Sequence, residues 1–487
     1  MNPWIIGLIV LLLAYLVSIL VSLRARKNYA HLPSHPQWPF IGNAYKIFGD
    51  SHNLFLYYEE LSKMAEMSNK PYVLWAGPLP VLILSNPDDI KAAANTFLEK
   101  PFYYNFAKIW LGNGVLLAPG WLWKKNVKKV ASAFIGSAVE QYQGIFNEQA
   151  QKLVRNLEQE TNGDFFDSFY YVSLSSLETI CKVSFGASKT FNAEKYYAAL
   201  HQTLDLILAR ITNVFLHPEW IYRLTSGFKK LSESVAVLHD FTLTILRKKK
   251  QDRNLGKSDI KETEKSKAFL DLMLDLSETD PHLTEKQILS ETATVIVGGQ
   301  ETVANTLFYI FLVIGTRKDV QDKLCTEIKN VLGDRDVQKE DLHKLVYCEA
   351  VINETLRLYS PVVGVLRYAD RDLKLSNCTV VKGTAVVLNF WGAGRSERLW
   401  GASAPDFDPD RWMPPNVPCT NAHLPFSTGK RACIGKKYAM AFLKTVVANC
   451  VRNYEFTTDE GFKQTSFKID LALRPVDGNL IKIRRRN

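Results

Sequence analysis

Phe426-Ser-Thr-Gly429-Lys-Arg431-Ala-Cys433-Ile-Gly435, running straight into KKYAMAFLKTVVANCV, is the stretch of this sequence that decides its reading. The apolar residues after Gly435 recur at helical spacing, so a helix over roughly 434–452 starts just beyond one cysteine. At such a helix mouth the terminal N–H groups and the dipole favour a thiolate. Gly429 and Gly435 permit a tight loop whose amides aim at the sulfur. A thiolate held in this way is a soft axial ligand suited to iron. The other cysteines, at positions 181, 325, 348, 378, 419 and 450, are scattered and read as inert core thiols. An odd total of seven without a CxxC excludes a secreted disulfide framework and a zinc ribbon, and fits a reducing compartment.

Working outward, 487 residues with 47% hydrophobic and 23% charged side chains suffice to bury a large core. That balance excludes disordered and collagen-like chains. Length alone suggests about three domains, although single large folds reach this size. The net charge of +10, from 60 basic and 50 acidic residues, points to nucleic acid, a membrane surface or an acidic protein partner. The N-terminus narrows the choice. Asn2 to Leu23 carries no charge, and Arg24, Arg26 and Lys27 follow at once. At ~1.5 Å per residue this run matches the roughly 30 Å hydrocarbon core of a bilayer. It lacks a basic leader and an A-x-A site, so residues 1–23 are expected to be an uncleaved transmembrane anchor rather than a signal peptide. The basic stop places the remainder on the cytosolic side. Nucleic-acid binding is not expected, because no recognition module accompanies the charge.

Pro33, Pro36 and Pro39 in LPSHPQWPFIGN fix φ and remove donors, so residues 24–43 read as a basic stop and a stiff, extended hinge. PYVLWAGPLPVLILSNP (71–87) predicts two strands around a Gly-Pro turn. From about 88 to 370 the periodicity is mostly helical, divided by a polar run at 248–267 that reads as a solvated loop. Short strands are expected over 365–390, and no internal repeat is visible. The expected fold class is mainly α with a small β component, with residues 44–487 forming a single catalytic domain.

The spacing F-x-x-G-x-R-x-C-x-G resembles the haem-binding signature of the cytochromes P450. Further motifs support the resemblance. Glu354-Thr-Leu-Arg357 alone would be a surface pair worth under ~1 kcal/mol. It resembles the family's E-x-x-R, completed by Arg411 of PDFDPDRW, with Asp410 where the family usually has Glu. The resemblance implies that Glu354, Arg357 and Arg411 form a buried ion network under the haem, with a structural role. Ser360-Pro-Val-Val-Gly-Val-Leu-Arg367 resembles the strand whose Arg holds a haem propionate, and Arg431 resembles the second clamp. Both guanidiniums are able to grip a carboxylate bidentately. In ETATVIVGGQETVANTLFYIF (291–311), Gly298-Gly299-Gln300-Glu301-Thr302 matches the A/G-G-x-D/E-T of the kinked helix over the iron. On residue chemistry alone such glycines mark close helix packing, at a cost of ~1 kcal/mol each. The resemblance implies instead that they leave room for dioxygen, that the Thr302 hydroxyl serves the bound oxygen, and that Glu301 brings protons from water.

The resemblance implies a cytochrome P450 fold and a membrane-anchored monooxygenase of the endoplasmic reticulum. Its cofactor is haem b, with Cys433 on the iron and Phe426, Gly429, Gly435, Arg367, Arg431 and Trp123 around it. Such an enzyme inserts one oxygen atom from O2 into a hydrophobic substrate. No G-x-G-x-x-G fingerprint comes after a strand, so electrons from NADPH must pass through a partner, NADPH–cytochrome P450 reductase, with cytochrome b5 as a second donor. Lys124, Lys125, Lys128, Lys129, Lys430, Lys436 and Lys437 offer a basic dock for an acidic reductase.

FSTGKRACIGKKYAMAFLK and ETLRLYSPVVGVLRYA are similar to the family 4 clan, including its insect branches, which implies a fatty acid, long-chain hydrocarbon or xenobiotic substrate. Two positions depart from the clan. Gly298 stands where many members carry a Glu esterified to haem, so the haem is expected to be non-covalent apart from the thiolate–iron bond. In GWLWKKNVKKVASAF, Trp123 matches the family's Trp but Val127 occupies the propionate Arg slot, and Lys128 replaces it only if the helix register shifts. Phe106, Trp110, Phe215 and Trp220 are candidates for substrate contact by position and apolarity alone, with core or membrane contact the competing reading. Two other functions compete with monooxygenation: a haem-thiolate isomerase or dehydratase of lipid hydroperoxides, and a non-catalytic haem binder. The Glu301-Thr302 pair argues against the first.

Overall fold

β-branched and aromatic residues flank Gly77-Pro78, and they form strands β1 (Tyr72–Ala76) and β2 (Leu79–Leu84), antiparallel around the expected turn. Gly77 supplies the positive φ, 63°, that the turn needs. This is a computed structural model; it describes residues 3–38, 41–46, 50–186, 193–255, 268–415, 420–470, 472–477 and 479–486. The short strands expected near 365–390 are β3 (Gly364–Tyr368), β4 (Leu373–Lys374), β5 (Thr379–Val380) and β6 (Ala385–Asn389). A four-stranded sheet runs β1-β2-β6-β3, parallel between β2 and β6 and antiparallel elsewhere, while β4 and β5 pair separately.

The sheet belongs to a first compact unit made of Met1–Pro101, Val362–Pro405 and Cys419–Ala432. Both of its faces are buried. Val73, Trp75, Leu82, Leu84, Val386 and Leu388 pack with Ile90 and Phe97, around the helix Pro87–Thr96. The alternate residues Tyr72, Leu74, Ile83 and Val387 pack on Tyr57 and Leu61 of helix Ser51–Ser68. The period-2 alternation of side chains sends each strand into two cores. This accounts for the near-continuous apolar runs.

The N-terminal apolar run lies in helix Pro3–Tyr29, with Ile5, Leu13, Val17, Leu20 and Leu23 exposed. Its last turns are part of the first unit. Ala25 and Tyr29 are buried, the Tyr29 hydroxyl is 2.8 Å from Thr384 Oγ1, and the Val381 N–H donates to it at 2.9 Å. Arg24 pairs with Asp372, and the Arg26 guanidinium lies 4.4 Å from the Trp75 ring centre. The Pro-rich hinge is likewise laid on the sheet rather than free. Val73 N–H donates to the Pro33 carbonyl at 3.0 Å, and Asn43 Nδ2 donates to the carbonyls of His35 and Pro36. Prolines leave carbonyls without neighbouring N–H groups to share, and Asn43 satisfies two of them. Pro39 of that hinge and Met1 and Asn2 of the apolar run lie outside the described residues.

The second unit comprises Phe102–Pro361, Asp406–Pro418 and Cys433–Asn487. Its centre is helix Glu285–Thr316, whose residues 303–314 are buried on every side. Helices Phe169–Phe185, Ser226–Asn254, Phe269–Thr279, Val346–Leu358 and Lys436–Asn453 pack against it. Among the described residues this central helix alone is long and apolar enough to cross a membrane, but 78% of its apolar window is buried. It is a core helix. The polar run at 248–267 begins inside helix Ser226–Asn254, and its residues 256–267 lie outside the described residues. After helix Lys436–Asn453 come four strands that the sequence pattern left unassigned: β7 (Tyr454–Thr458), β8 (Phe467–Asp470), β9 (Ala472–Pro475) and β10 (Ile481–Arg485). β7 pairs with β10 and β8 with β9, both antiparallel.

Candidate functional site

The cysteine segment is divided between the two units. In the first, Ser427 N–H donates to the Leu424 carbonyl at 2.9 Å and Ala432 N–H to the Gly429 carbonyl at 3.1 Å, folding the loop on itself. Phe426 in this loop is half-buried. Gly429 adopts φ +72°, and a Cβ there would stand 2.7 Å from backbone carbon of Ala94. Only glycine fits. In the second unit, Gly435 caps helix Lys436–Asn453 with an ordinary φ of −92°. A Cβ there would meet only the Cys433 sulfur, at 3.9 Å. That is ordinary van der Waals contact, so neither the turn nor the packing of the described residues requires glycine at this position.

Cys433 is the one exposed cysteine among the described residues; Cys181, Cys325, Cys348, Cys378 and Cys450 are buried. Enough chain surrounds its sulfur that desolvation pushes the thiol up, while the Gly435 amide and the Lys436 charge pull it down without outweighing that effect. The helix mouth thus acts in the expected direction but not alone. Burial pushes Cys378 up to about 11 and raises Cys181, Cys348 and Cys450 as well.

Helix Glu285–Thr316 runs unbroken through Gly298 and Gly299. Their roles divide. A Cβ on Gly299 would lie 2.6 Å from Ile180 Cδ1 of helix Phe169–Phe185, so this glycine is required for helix packing. A Cβ on Gly298 would meet nothing within 4 Å. Gly298 shares its helix face with Thr302, whose hydroxyl donates to the Gly298 carbonyl at 2.8 Å. Gly298→Ala should accordingly raise the melting temperature by removing up to ~1 kcal/mol of helix penalty. Gly299→Ala should lower it, by ~1–3 kcal/mol of overpacking, in the same calorimetric scan.

Glu301, expected to bring protons from water, is held in an ion pair. It is buried; Arg474 Nη2 donates to its Oε1 at 2.7 Å, and Asn305 Nδ2 donates to the same oxygen at 3.1 Å. The Arg474 guanidinium in turn lies 3.4 Å from the Phe169 ring centre. Being one residue from Thr302, Glu301 points about 100° around the helix from it, into packed protein. Neither Arg474 nor Phe169 was visible from the motif.

Glu354, Arg357 and Arg411 do come together. Glu354 and Arg357 are bidentate, with Nε–Oε2 at 2.8 Å and Nη2–Oε1 at 2.7 Å, and both side chains are 0% exposed. Arg411 Nε lies 3.5 Å from Glu354 Oε1. Trp412 Nε1 donates to Oε2 at 2.9 Å and Asp408 N–H to Oε1 at 3.0 Å, while Arg357 donates to the Asp406 carbonyl. The surface-pair reading of this E-x-x-R therefore fails. Asp410 faces away from the network and pairs with Lys323. Removing one partner of a buried pair leaves a desolvated charge, so Glu354→Ala should cost ~3–5 kcal/mol, read as a fall in Tm.

Arg367 on β3 is 2% exposed, and its charge and that of Arg431 add to burial in lowering the pKa of Lys100. Trp123 is buried in helix Gly120–Ala131. Lys128 lies on that helix's exposed side with Lys124 and Lys125, and Lys129 pairs with Asp280. The register shift that would bring Lys128 inward does not occur. Phe106 and Trp110 are buried, the former under the Arg210 guanidinium at 4.1 Å, whereas Phe215 and Trp220 are exposed.

The family model for cytochrome P450 matches residues 32–482. The chain is a cytochrome P450. It is 29% identical to cytochrome P450 4V2 of Homo sapiens over 469 residues, covering 92% of this chain and 89% of that protein. Cytochrome P450 4c21 of Blattella germanica is 30% identical over 475 residues, covering 94% and 93%. Cytochrome P450 4d1 of Drosophila simulans is 29% identical, covering 94% of each. The expected kinship with family 4, insect members included, is borne out. Members of this family are monooxygenase oxidoreductases carrying haem b with a cysteine thiolate on the iron. The residues present fit that group: the second unit offers an exposed sulfur beside a helix start, and the first a buried guanidinium, Arg367, of the kind able to grip a carboxylate.

Proposed function

We propose that this P450 hydroxylates or epoxidises a fatty acid, a long-chain hydrocarbon or a similarly apolar molecule, with electrons from NADPH delivered by NADPH–cytochrome P450 reductase and, secondarily, cytochrome b5. The observation that carries the reading is the exposed Cys433 at the start of helix Lys436–Asn453. Haem, when bound, supplies the iron at which dioxygen is taken up and reduced. Cys433 holds that iron, with the Gly435 amide and Lys436 favouring its thiolate. Phe426, Gly429 and Gly435 shape the loop, Arg367 and Arg431 grip the carboxylates, and Trp123 braces the group. Glu354, Arg357 and Arg411 keep their segments in place. Thr302 presents its hydroxyl on the open face with Gly298, and Glu301 is the neighbouring acid in proton supply. With Gly298 in the ester position, the haem is not ester-linked.

Residues 1–23 act as a single-pass anchor in the endoplasmic reticulum membrane, residues 24–43 link it to the body, and residues 44–487 form the cytosolic catalytic part. The exposed Ile5, Leu13, Val17, Leu20 and Leu23 suit a lipid surrounding. Exposed Lys124, Lys125, Lys128, Lys430, Lys436 and Lys437 receive an acidic reductase. A lipid and hydrocarbon panel turned over with the reductase, and analysed by mass spectrometry, tests the reading. The expected result is oxygenated product, with a reduction rate that falls as ionic strength rises above ~0.1 M and on reversing these lysine charges. Turnover of lipid hydroperoxides without NADPH or dioxygen would select the isomerase reading instead.

A further inference from the structure

Glu301 is read as the acid in proton supply, yet its side chain is buried and points away from the Thr302 face. Protons must therefore reach it through packed protein. One of its oxygens is occupied, since Oε1 accepts from Arg474 and Asn305. The other, Oε2, is buried and has no hydrogen-bond partner among the described residues. The same holds for Nε2 of His201, on helix Ala193–Thr212. A short chain of contacts joins the two side chains. Arg474, paired with Glu301, lies 3.4 Å from the Phe169 ring centre, and Phe169 packs edge-on against the His201 ring at 6.0 Å between centres. With its proton on Nε2 the imidazole is a donor, and the Glu301 oxygen is an acceptor. Each is costly to leave unpaired.

The charges around His201 suit a relay. Burial lowers its pKa, and Arg474 of β9 adds to that effect, while Glu301 of the central helix and Asp205 of its own helix oppose it. The ring is therefore neutral at pH 7, with one N–H and one lone pair. Such a ring takes a proton at one nitrogen as it gives one up at the other. Tyr197, packed on the ring at 4.2 Å between centres, His201 and Asp205 recur every four residues, on one helix face. Asp205 is exposed and His201 half-buried. A solvated carboxylate, an imidazole and a buried carboxylate thus lead inward.

We infer that His201 passes protons from solvent to Glu301, Nε2 giving its proton to Oε2 while Nδ1 takes one drawn in by Asp205. The N–H bond at Nε2 breaks, an O–H bond forms at Oε2 and an N–H bond forms at Nδ1. The imidazole ends neutral, and the carboxylate becomes a carboxylic acid. A half-turn of the ring restores the starting tautomer. Protonation cancels the charge that Arg474 pairs with, which frees the carboxyl to turn toward Thr302. This deepens the reading of Glu301 as the acid in proton supply and rests on it. His201 acts through Glu301, as a positioning residue for its proton.

The first test takes the full-length holoenzyme with NADPH and the reductase, without organic substrate. It reads how consumed dioxygen divides between hydrogen peroxide and water, which takes more protons to form. His201→Phe keeps the aromatic packing and His201→Gln keeps a hydrogen-bonding side chain, but neither relays a proton. Both should slow water formation by ~10²–10⁴-fold while NADPH is still consumed. Wild-type behaviour in His201→Gln would mean that His201 only holds Glu301 in place, and would overturn the inference. If Glu301→Gln loses water formation and both His201 variants keep it, the relay is overturned while the reading of Glu301 stands. If Glu301→Gln also matches wild type, that reading falls and the relay with it. The second test needs no turnover. Exchange of the His201 Cε1 hydrogen for deuterium, followed by mass spectrometry against pH, reports the imidazole pKa. Glu301→Gln and Asp205→Asn should each shift it downward, because each removes a negative charge that favours the imidazolium. A pKa indifferent to both substitutions would place His201 outside any such path and overturn the inference.

Discussion

Cys433→Ser is expected to abolish the thiolate band of the reduced, carbon-monoxide-bound enzyme, and with it monooxygenation, while leaving the fold in place. The reasons are separable in the structure. The loop's shape is set by Gly429 at φ +72° against Ala94 and by its two internal turns, none of which involves the sulfur. Cys433 is exposed, so exchanging sulfur for oxygen creates no core cavity. What changes is the ligand. A serine hydroxyl is harder and far more basic than a thiol, so it is a poor match for iron in this role. The carbon-monoxide difference spectrum reads the ligand directly, and far-ultraviolet circular dichroism reads the fold. A mutant that keeps the wild-type band would sink the assignment, because the ligand would then be another cysteine. The alternatives are weak: Cys181, Cys348 and Cys450 are buried, and desolvation holds each well toward the protonated form.

How much of the molecule is legible in the sequence depends on the distance over which each feature is built. β1 and β2 were legible because their signal, apolar runs about a Gly-Pro turn, is local. β7 to β10 carried a signal too, since Ile481 and Ile483 are buried while Lys482 and Arg484 face outward, but a five-residue strand with three basic residues reads weakly. Glu354 and Arg357 show the limit of spacing arguments. An acid and a base at i, i+3 look alike whether solvated or buried, and only the chain around 406–412 makes the pair a core feature. The family resemblance supplied Arg411, and nothing local supplied Trp412. The surroundings of Glu301 were the least legible. The acid of the motif was readable, but Arg474 lies 173 residues away, and a contact of that range leaves no mark in either neighbourhood.

Thr302→Ala is expected to separate oxygen consumption from product formation. In the structure the Thr302 hydroxyl donates to the Gly298 carbonyl at 2.8 Å. Its one proton is then committed to the helix, and its oxygen lone pairs face outward as acceptors. The hydroxyl is thereby able to hold a proton donor, such as a water, on the face it shares with Gly298, where a Cβ would meet nothing within 4 Å. Alanine removes that acceptor and little volume, and it is the better helix former, so haem and substrate should still bind. The loss falls on proton delivery, typically worth ~10²–10⁴-fold in rate. NADPH should continue to be consumed while hydroxylated product falls by that order and hydrogen peroxide rises. Thr302→Ser restores the hydroxyl and should recover most of the coupling. Glu301→Gln is a poorer probe, because it also breaks the buried pair with Arg474 and so confounds proton supply with stability. An unchanged hydroxylation rate with unchanged peroxide yield in Thr302→Ala would remove the hydroxyl from the reaction. The proton donor would then have to be held by another group on the same helix face.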